Sequence, residues 1–107
     1  MDDMPQKTDA KRFELAIPAP TESDPKAFEL LRVWAAHGDQ HVTIRPDLHG
    51  GPEGFGYMLA QLARHGALLY GQREGRPPAE VLKLVKLGFD QEWNDGSWPS
   101  GKVSVSD

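Results

Sequence analysis

The sequence predicts an α+β fold in which a β-hairpin is followed by two amphipathic helices that pack on one face of the sheet. A near-continuous apolar run at 28–36 and an alternating run at 41–45 carry the strand pattern. Two later segments, which begin near Pro52 and Pro78, repeat apolar residues at helical spacing. Because helix stripes and strand faces are buried against one another, we expect the helices to cover the hairpin.

A single domain is expected from the length of 107 residues. The apolar residues concentrate between Phe13 and Trp93, and few of them lie outside this range. We therefore predict one α+β domain at 13–93, with disordered tails at 1–12 and 94–107. A domain of this size buries only about 60–65% of its unfolded surface, so its stability is marginal without help.

Composition disfavours several classes of protein. The chain has no cysteine, which removes thiol catalysis, disulfides and cysteine-rich metal sites. The net charge of −4 argues against a general nucleic-acid binder. No apolar stretch approaches the roughly 20 residues that span a bilayer, and the first residues lack the apolar region of a secretory signal. We expect a cytoplasmic protein that binds neither nucleic acid nor membrane.

A third short strand is predicted on the N-terminal side of the hairpin. Apolar residues alternate over 13–17, and Pro18 ends the alternation. A loop with three prolines follows at 18–25. Two ways of covering the far face of strand 28–36 stay open, namely this N-terminal strand or a second copy of the chain.

The hairpin turn is compatible with two registers. A two-residue loop at 38–39 gives a compact hairpin, is favoured, and places Arg32 opposite Arg45. A three-residue loop pairs Trp34 with Ile44 instead. The favoured register sets two like charges against each other, which is unfavourable unless an anion lies there.

Both helices have start and stop signals. The first begins near Pro52, with an acidic residue in its first turn, and ends at the glycines at 71 and 75. The second begins at Pro78 and ends before the Asn-Asp-Gly sequence at 94–96. The apolar stripes comprise Phe55, Met58, Leu59, Leu62 and Leu69 in the first helix and Val81, Leu82, Val85, Gly88 and Phe89 in the second.

Apolar residues off these stripes predict self-association. Tyr57, Leu68, Leu84 and Leu87 add apolar area beyond a first core, and exposing all of it on a monomer would be unusual. A hairpin with helices on one face also leaves its other face uncovered, and isolated hairpins are marginal. We therefore expect a homo-oligomer, a two-fold homodimer, in which a continuous four-stranded sheet is one arrangement. The sequence identifies no other protein partner.

One face of the predicted hairpin carries a candidate ligand-binding site. Its members are Arg32, Trp34, His41 and Arg45. Two arginines beside an aromatic ring suit a phosphate, a carboxylate or a base. In the alternative interpretation the two arginines pair with Glu29, Glu14 or a partner chain, and Trp34 belongs to the core.

Other chemistry is weakly indicated. Every serine falls in a predicted loop or tail, away from the rigid setting that a catalytic nucleophile needs. His37 and His41 flank the turn but point to opposite faces in the favoured register. The Gly-rich loop at 49–56 places Pro52 and Glu53 where a phosphate would bind. We therefore predict no catalytic residues, no metal site and no cofactor, and favour a protein that is not an enzyme.

Five segments resemble a known family. They are FELAIP at 13–18, LRVWAA at 31–36, VTIRP at 42–46, MLAQLARH at 58–65 and FDQEW at 89–93. In this order they resemble a small alphaproteobacterial domain family of unknown function. The resemblance implies a small cytoplasmic α+β domain and brings no assigned activity and no catalytic residues.

Taken together, these patterns favour a small, non-catalytic interaction or accessory module of the bacterial cytoplasm that self-associates. The alternative is a protein that binds a small ligand or an anion through Arg32, Arg45 and Trp34. The two differ in whether the arginines are free to bind a ligand.

Overall fold

The computed structural model describes residues 10–105 of the chain. A 3-10 turn at Ala10–Phe13 and a one-turn helix α1 at Ala19–Glu22 come first. The hairpin consists of β1 at Leu31–Ala36 and β2 at Asp39–Ile44. Two long helices follow, α2 at Gly51–Glu74 and α3 at Pro78–Asp95, and a short strand β3 at Val103–Val105 ends the described part.

The β1–β2 turn consists of His37 and Gly38. Their φ angles are 52° and 76°, and positive φ at both central residues defines the tight turn that matches strand twist. Asp39 therefore belongs to β2, and Trp34 pairs with His41. Both predicted registers were wrong, because the left-handed conformation is adopted by His37 rather than by Asp39. The partner of each residue moves by two positions, which leaves every side chain on its predicted face.

The third strand of the sheet comes from the C-terminal side of the chain. β3 pairs in parallel with β2, so that the strand order is β1-β2-β3. The predicted strand at 13–17 was wrong, since residues 14–18 have no regular structure and Leu15 is 94% exposed. The prediction for 94–107 included no strand, whereas β3 lies within that segment.

The two helices form a pair joined by the short segment 75–77. Gly75 ends α2 with a φ of 66°, as the sequence signals indicated. The buried residues of the pair are Ala67, Gly71 and Val81. A Cβ on Gly71 would lie 2.8 Å from the carbonyl oxygen of Arg76, so the absence of a side chain lets the chain turn closely into α3.

The α+β class and the two long helices are confirmed, but the helices do not cover the sheet of their own chain. Within residues 10–105, no Cα atom of a helix lies within 8 Å of a Cα atom of a strand. The predicted packing of the helices on one face of the hairpin is therefore absent from the single chain. Neither long helix is apolar enough along its described length to cross a membrane.

The chain is accordingly open. Its radius of gyration is 16.9 Å, whereas a compact domain of this length has about 13 Å. It exposes 9924 Å², whereas a compact protein of 11.9 kDa exposes about 5,900 Å². Ala67 and Val81 are the buried hydrophobic residues among those described.

Candidate functional site

The four predicted ligand-binding residues lie on the same face of the hairpin. Arg32 and Trp34 belong to β1, and His41 belongs to β2. Arg45 lies one residue beyond β2, and its backbone N–H donates to the carbonyl oxygen of Leu30. Arg32 is opposite Thr43 rather than opposite Arg45. The two arginines are therefore not paired across the strands, and the predicted repulsion between them is absent.

Arg32 is held by two carboxylates. Its Nε and Nη2 donate to the two carboxylate oxygens of Glu29 at 3.2 and 3.0 Å, and its Nη1 donates to Glu14 at 2.7 Å. Hydrogen bonding and charge attraction from Glu29, with a smaller contribution from Glu14, raise the pKa of Arg32. Its charge is thus fully present below the ordinary arginine pKa and is lost only above the raised value, so Arg32 contributes no pH dependence near neutrality.

Arg45 is bound differently from Arg32. Its Nε donates to the backbone carbonyl oxygen of Glu29 at 2.7 Å, and its guanidinium lies over the ring of Phe28 at 5.2 Å. Among the described residues it forms no ion pair. An anion that approached this face would therefore meet an uncompensated charge at Arg45 but a neutralised one at Arg32.

His41 links three segments of the sheet. Its Nδ1 accepts a hydrogen bond from the backbone N–H of Lys102 at 3.1 Å, and its Nε2 lies 3.1 Å from the carbonyl oxygen of Ala36. This pattern requires a neutral imidazole with its proton on Nε2, which donates to Ala36. His41 thus serves the structure of the sheet, and its ring nitrogens are both occupied.

A shallow cleft of about 260 Å³ separates the two arginines. It is lined by Arg32 and Arg45 together with Glu29, Leu30, Leu31 and Thr43. No three His, Asp or Glu side chains within residues 10–105 are placed to hold a metal ion. Of the two arginines in the lining, Arg45 is the one without a carboxylate partner among the described residues.

The opposite face of the sheet is aliphatic and open. The antiparallel pairs Leu31–Ile44 and Val33–Val42 lie on it, and the parallel pairing brings Val103 beside Val42 and Val105 beside Ile44. We call these six residues the aliphatic face. Its exposed fractions reach 52% at Val33, 67% at Val103 and 72% at Val105.

The helix pair also exposes large apolar side chains. Leu62 and Leu69 of the predicted α2 stripe are 46% and 51% exposed, because the contact with α3 uses Ala67 and Gly71 instead. On α3 the rings of Phe89 and Trp93 stack at 5.5 Å, yet Trp93 is 73% exposed. The off-stripe residues Tyr57, Leu68, Leu84 and Leu87 are exposed as well.

The C-terminal residues that complete the sheet were not predicted from the sequence. The Ser100 hydroxyl donates to the Asp39 carboxylate at 2.7 Å, and the Val42 N–H donates to the carbonyl oxygen of Lys102 at 2.9 Å. A side chain on Gly101 would overlap the carbonyl oxygen of Gln40. The available signal was the alternating Val-Ser-Val sequence at 103–105, which is too short to identify a strand by itself.

Known proteins share sequence and fold with this chain. Residues 14–96 match the family described as "Domain of unknown function (DUF5076)". The fold is similar to a solved structure described as "Structure of a putative pyruvate dehydrogenase from the photosynthetic bacterium Rhodopseudomonas palustrus CGA009". The two chains are 25% identical with a TM-score of 0.54, over 76% of this chain and 93% of that chain. No curated protein matches the chain.

The family match includes the hairpin and both long helices and ends before β3. It confirms the resemblance to a domain family of unknown function, whereas a restriction to alphaproteobacteria stays a prediction. The chain belongs to the DUF5076 family, a domain of unknown function.

Proposed function

We propose that this protein is a non-catalytic interaction module of the bacterial cytoplasm that acts as a homodimer. One observation carries the proposal, namely that the sheet and the helix pair each expose apolar surface and do not contact each other within residues 10–105. Exposed apolar patches of this extent mark protein interaction sites. A second copy is the partner that is always available to the chain.

The surface excess supports a large interface. The chain exposes 9924 Å², which exceeds the value for a compact protein of this mass by roughly 4,000 Å². A standard interface removes only about 800 Å² from each partner. Part of this excess comes from the N-terminal segment, since residues 10–30 are exposed except Thr21, and part comes from the open apolar faces of the sheet and the helix pair.

The polar residues of the hairpin support a non-catalytic role. Arg32 is bound by two carboxylates, and both ring nitrogens of His41 form hydrogen bonds within the sheet. Catalytic groups need a free lone pair or proton that faces a substrate. These side chains instead connect the N-terminal segment, β1 and the C-terminal segment.

Sedimentation equilibrium of the full-length chain tests the proposal. We expect twice the chain mass of 11.9 kDa at micromolar concentration. Val33→Glu should lower the dimer fraction, because it places a charge on the aliphatic face. Lys83→Glu, which adds the same side chain on the polar side of α3, is the matched control. A monomeric wild-type protein contradicts the proposal.

A second candidate function is the binding of a small anion in the cleft between the arginines. The observation that favours it is that Arg45, which has no carboxylate partner among the described residues, lines the cleft together with Thr43. Thermal-shift measurements with inorganic phosphate and with acetate test it. A shift that Arg45→Gln abolishes and Arg64→Gln preserves supports binding at the cleft, and an equal shift in both variants contradicts it.

A further inference from the structure

We propose that two copies of this chain exchange layers, so that the helix pair of one copy covers the aliphatic face of the other, and reciprocally. This inference rests on the proposed self-association and names the surfaces that meet. The occupant of the aliphatic face is thus α2 and α3 of the second copy. The interface is symmetric, because each copy contributes one sheet and one helix pair.

The sheet has an uncovered apolar face. Its aliphatic face consists of six branched apolar side chains from three strands, and no other described element lies over it. A sheet with one apolar face is stable only when another layer buries that face. The chain therefore supplies half of a two-layer fold at this position.

The helix pair presents apolar side chains outward. Its internal contact buries the small residues Ala67, Gly71 and Val81. Leu62 and Leu69 stay half exposed on the side of α2 that this contact does not use. A helix pair that closes through small residues and presents leucines outward is suited to act as one layer against a sheet.

The connection between the sheet and the helix pair is short and ordered. Residues 45–50 join the hairpin to α2 in a defined conformation, with φ of 58° at Asp47 and 90° at Gly50. The N–H of Gly54 donates to the carbonyl oxygen of Gly50 at 3.1 Å, and a side chain on Gly54 would overlap the carbonyl oxygen of His49. No Cα atom of α2 lies within 8 Å of a Cα atom of the sheet, so each layer stays open to a second copy.

Simpler dimers leave one layer uncovered. A sheet-to-sheet dimer buries Val33, Val103 and Val105 but leaves the leucines of the helix pair in water. A helix-to-helix dimer buries the leucines of the helix pair but leaves the aliphatic face of the sheet in water. Reciprocal exchange buries both surfaces with one two-fold axis.

A mixing experiment with two double variants of the full-length chain tests the exchange. The sheet variant carries Val33→Glu and Val105→Glu, and the helix variant carries Leu62→Glu and Leu69→Glu. All four positions are at least 46% exposed within the chain, so the charges do not enter its internal contacts. Sedimentation velocity then compares each variant alone with their equimolar mixture.

The exchange predicts that each variant alone associates at least about tenfold more weakly than the wild type, and that the mixture regains dimers. In the mixed dimer the intact helix pair of the sheet variant meets the intact sheet of the helix variant. A helix variant that dimerises normally alone indicates sheet-to-sheet contact and overturns the inference. A sheet variant that dimerises normally alone indicates helix-to-helix contact and also overturns the inference. A wild-type monomer defeats the proposed function itself.

Cross-linking keeps the inference testable if a variant does not fold. The chain has no cysteine, so Val33→Cys and Leu69→Cys proteins have no background reaction. After mixing and treatment with a short bismaleimide, the exchange predicts covalent dimers that contain one chain of each kind, identified by mass. Covalent dimers that form only within the Val33→Cys sample contradict it.

Discussion

Two glycines are required by close contacts of the backbone. Gly71 faces the carbonyl oxygen of Arg76, and Gly101 faces that of Gln40. Neither requirement comes from a positive φ, since both contacts concern the space that a Cβ would occupy. A sequence pattern does not predict that glycine is required at these positions, because the atom that a Cβ would contact belongs to a residue outside the local helix or strand.

Gly71→Ala should destabilise the protein by about 1–3 kcal/mol, as overpacking of a close contact does. The added Cβ would lie 2.8 Å from the Arg76 carbonyl oxygen, so α2 and the turn into α3 must shift apart. Gly56→Ala is the matched control, because it meets open space within the chain and should stabilise α2 by up to about 1 kcal/mol. Thermal unfolding of both variants measures the difference, and equal stabilities contradict the assignment.

At the residue scale, the sequence predicted the face of the hairpin that carries Arg32, Trp34, His41 and Arg45, but not their partners. Alternation along a strand determines the face, and a register error of two positions leaves it unchanged. The partners depend on the turn, whose central residues are His37 and Gly38 rather than the predicted residues 38–39. Glu29 and Glu14 appeared only as an alternative, because their positions depend on an irregular segment.

At the scale of elements, the two long helices were predictable and the third strand was not. The helices combine apolar periodicity with proline at the start and glycine at the end, all of which are local signals. β3 has three residues, and its formation depends on Gly101, Ser100 and a hydrogen bond to His41, which are contacts with distant parts of the chain. The alternation of apolar residues at 13–17 is a local signal, but no strand of the sheet pairs with this segment.

Gly101→Ala should release β3 from the sheet. The new side chain would overlap the Gln40 carbonyl oxygen, so the segment must move away and the Val42 N–H loses its acceptor on Lys102. We expect hydrogen exchange at the Val42 amide to accelerate while exchange within α2 is unchanged. Ser97→Ala, in the same segment, should leave the Val42 amide protected. Undiminished protection in Gly101→Ala contradicts this role.

For the whole molecule, the sequence predicted that one chain does not bury its own apolar surface, and the structure locates the reason. The sheet and the helix pair are separate layers of one chain, and neither forms a core alone. The sequence indicated that the layers would pack on each other, which is the usual solution. It did not indicate the positive φ angles at Asp47 and Gly50 in the connection between the two layers.

The dependence of thermal unfolding on protein concentration tests most directly whether a second copy completes the fold. If folding and association are coupled, the midpoint rises by about 3 °C for each tenfold increase in concentration, given the unfolding entropy of two chains of this length. The measurement uses the full-length chain over a hundredfold range of concentration. A midpoint that rises in this way supports a dimer with a shared core. A cooperative transition whose midpoint stays constant shows that one chain folds alone, which contradicts the account.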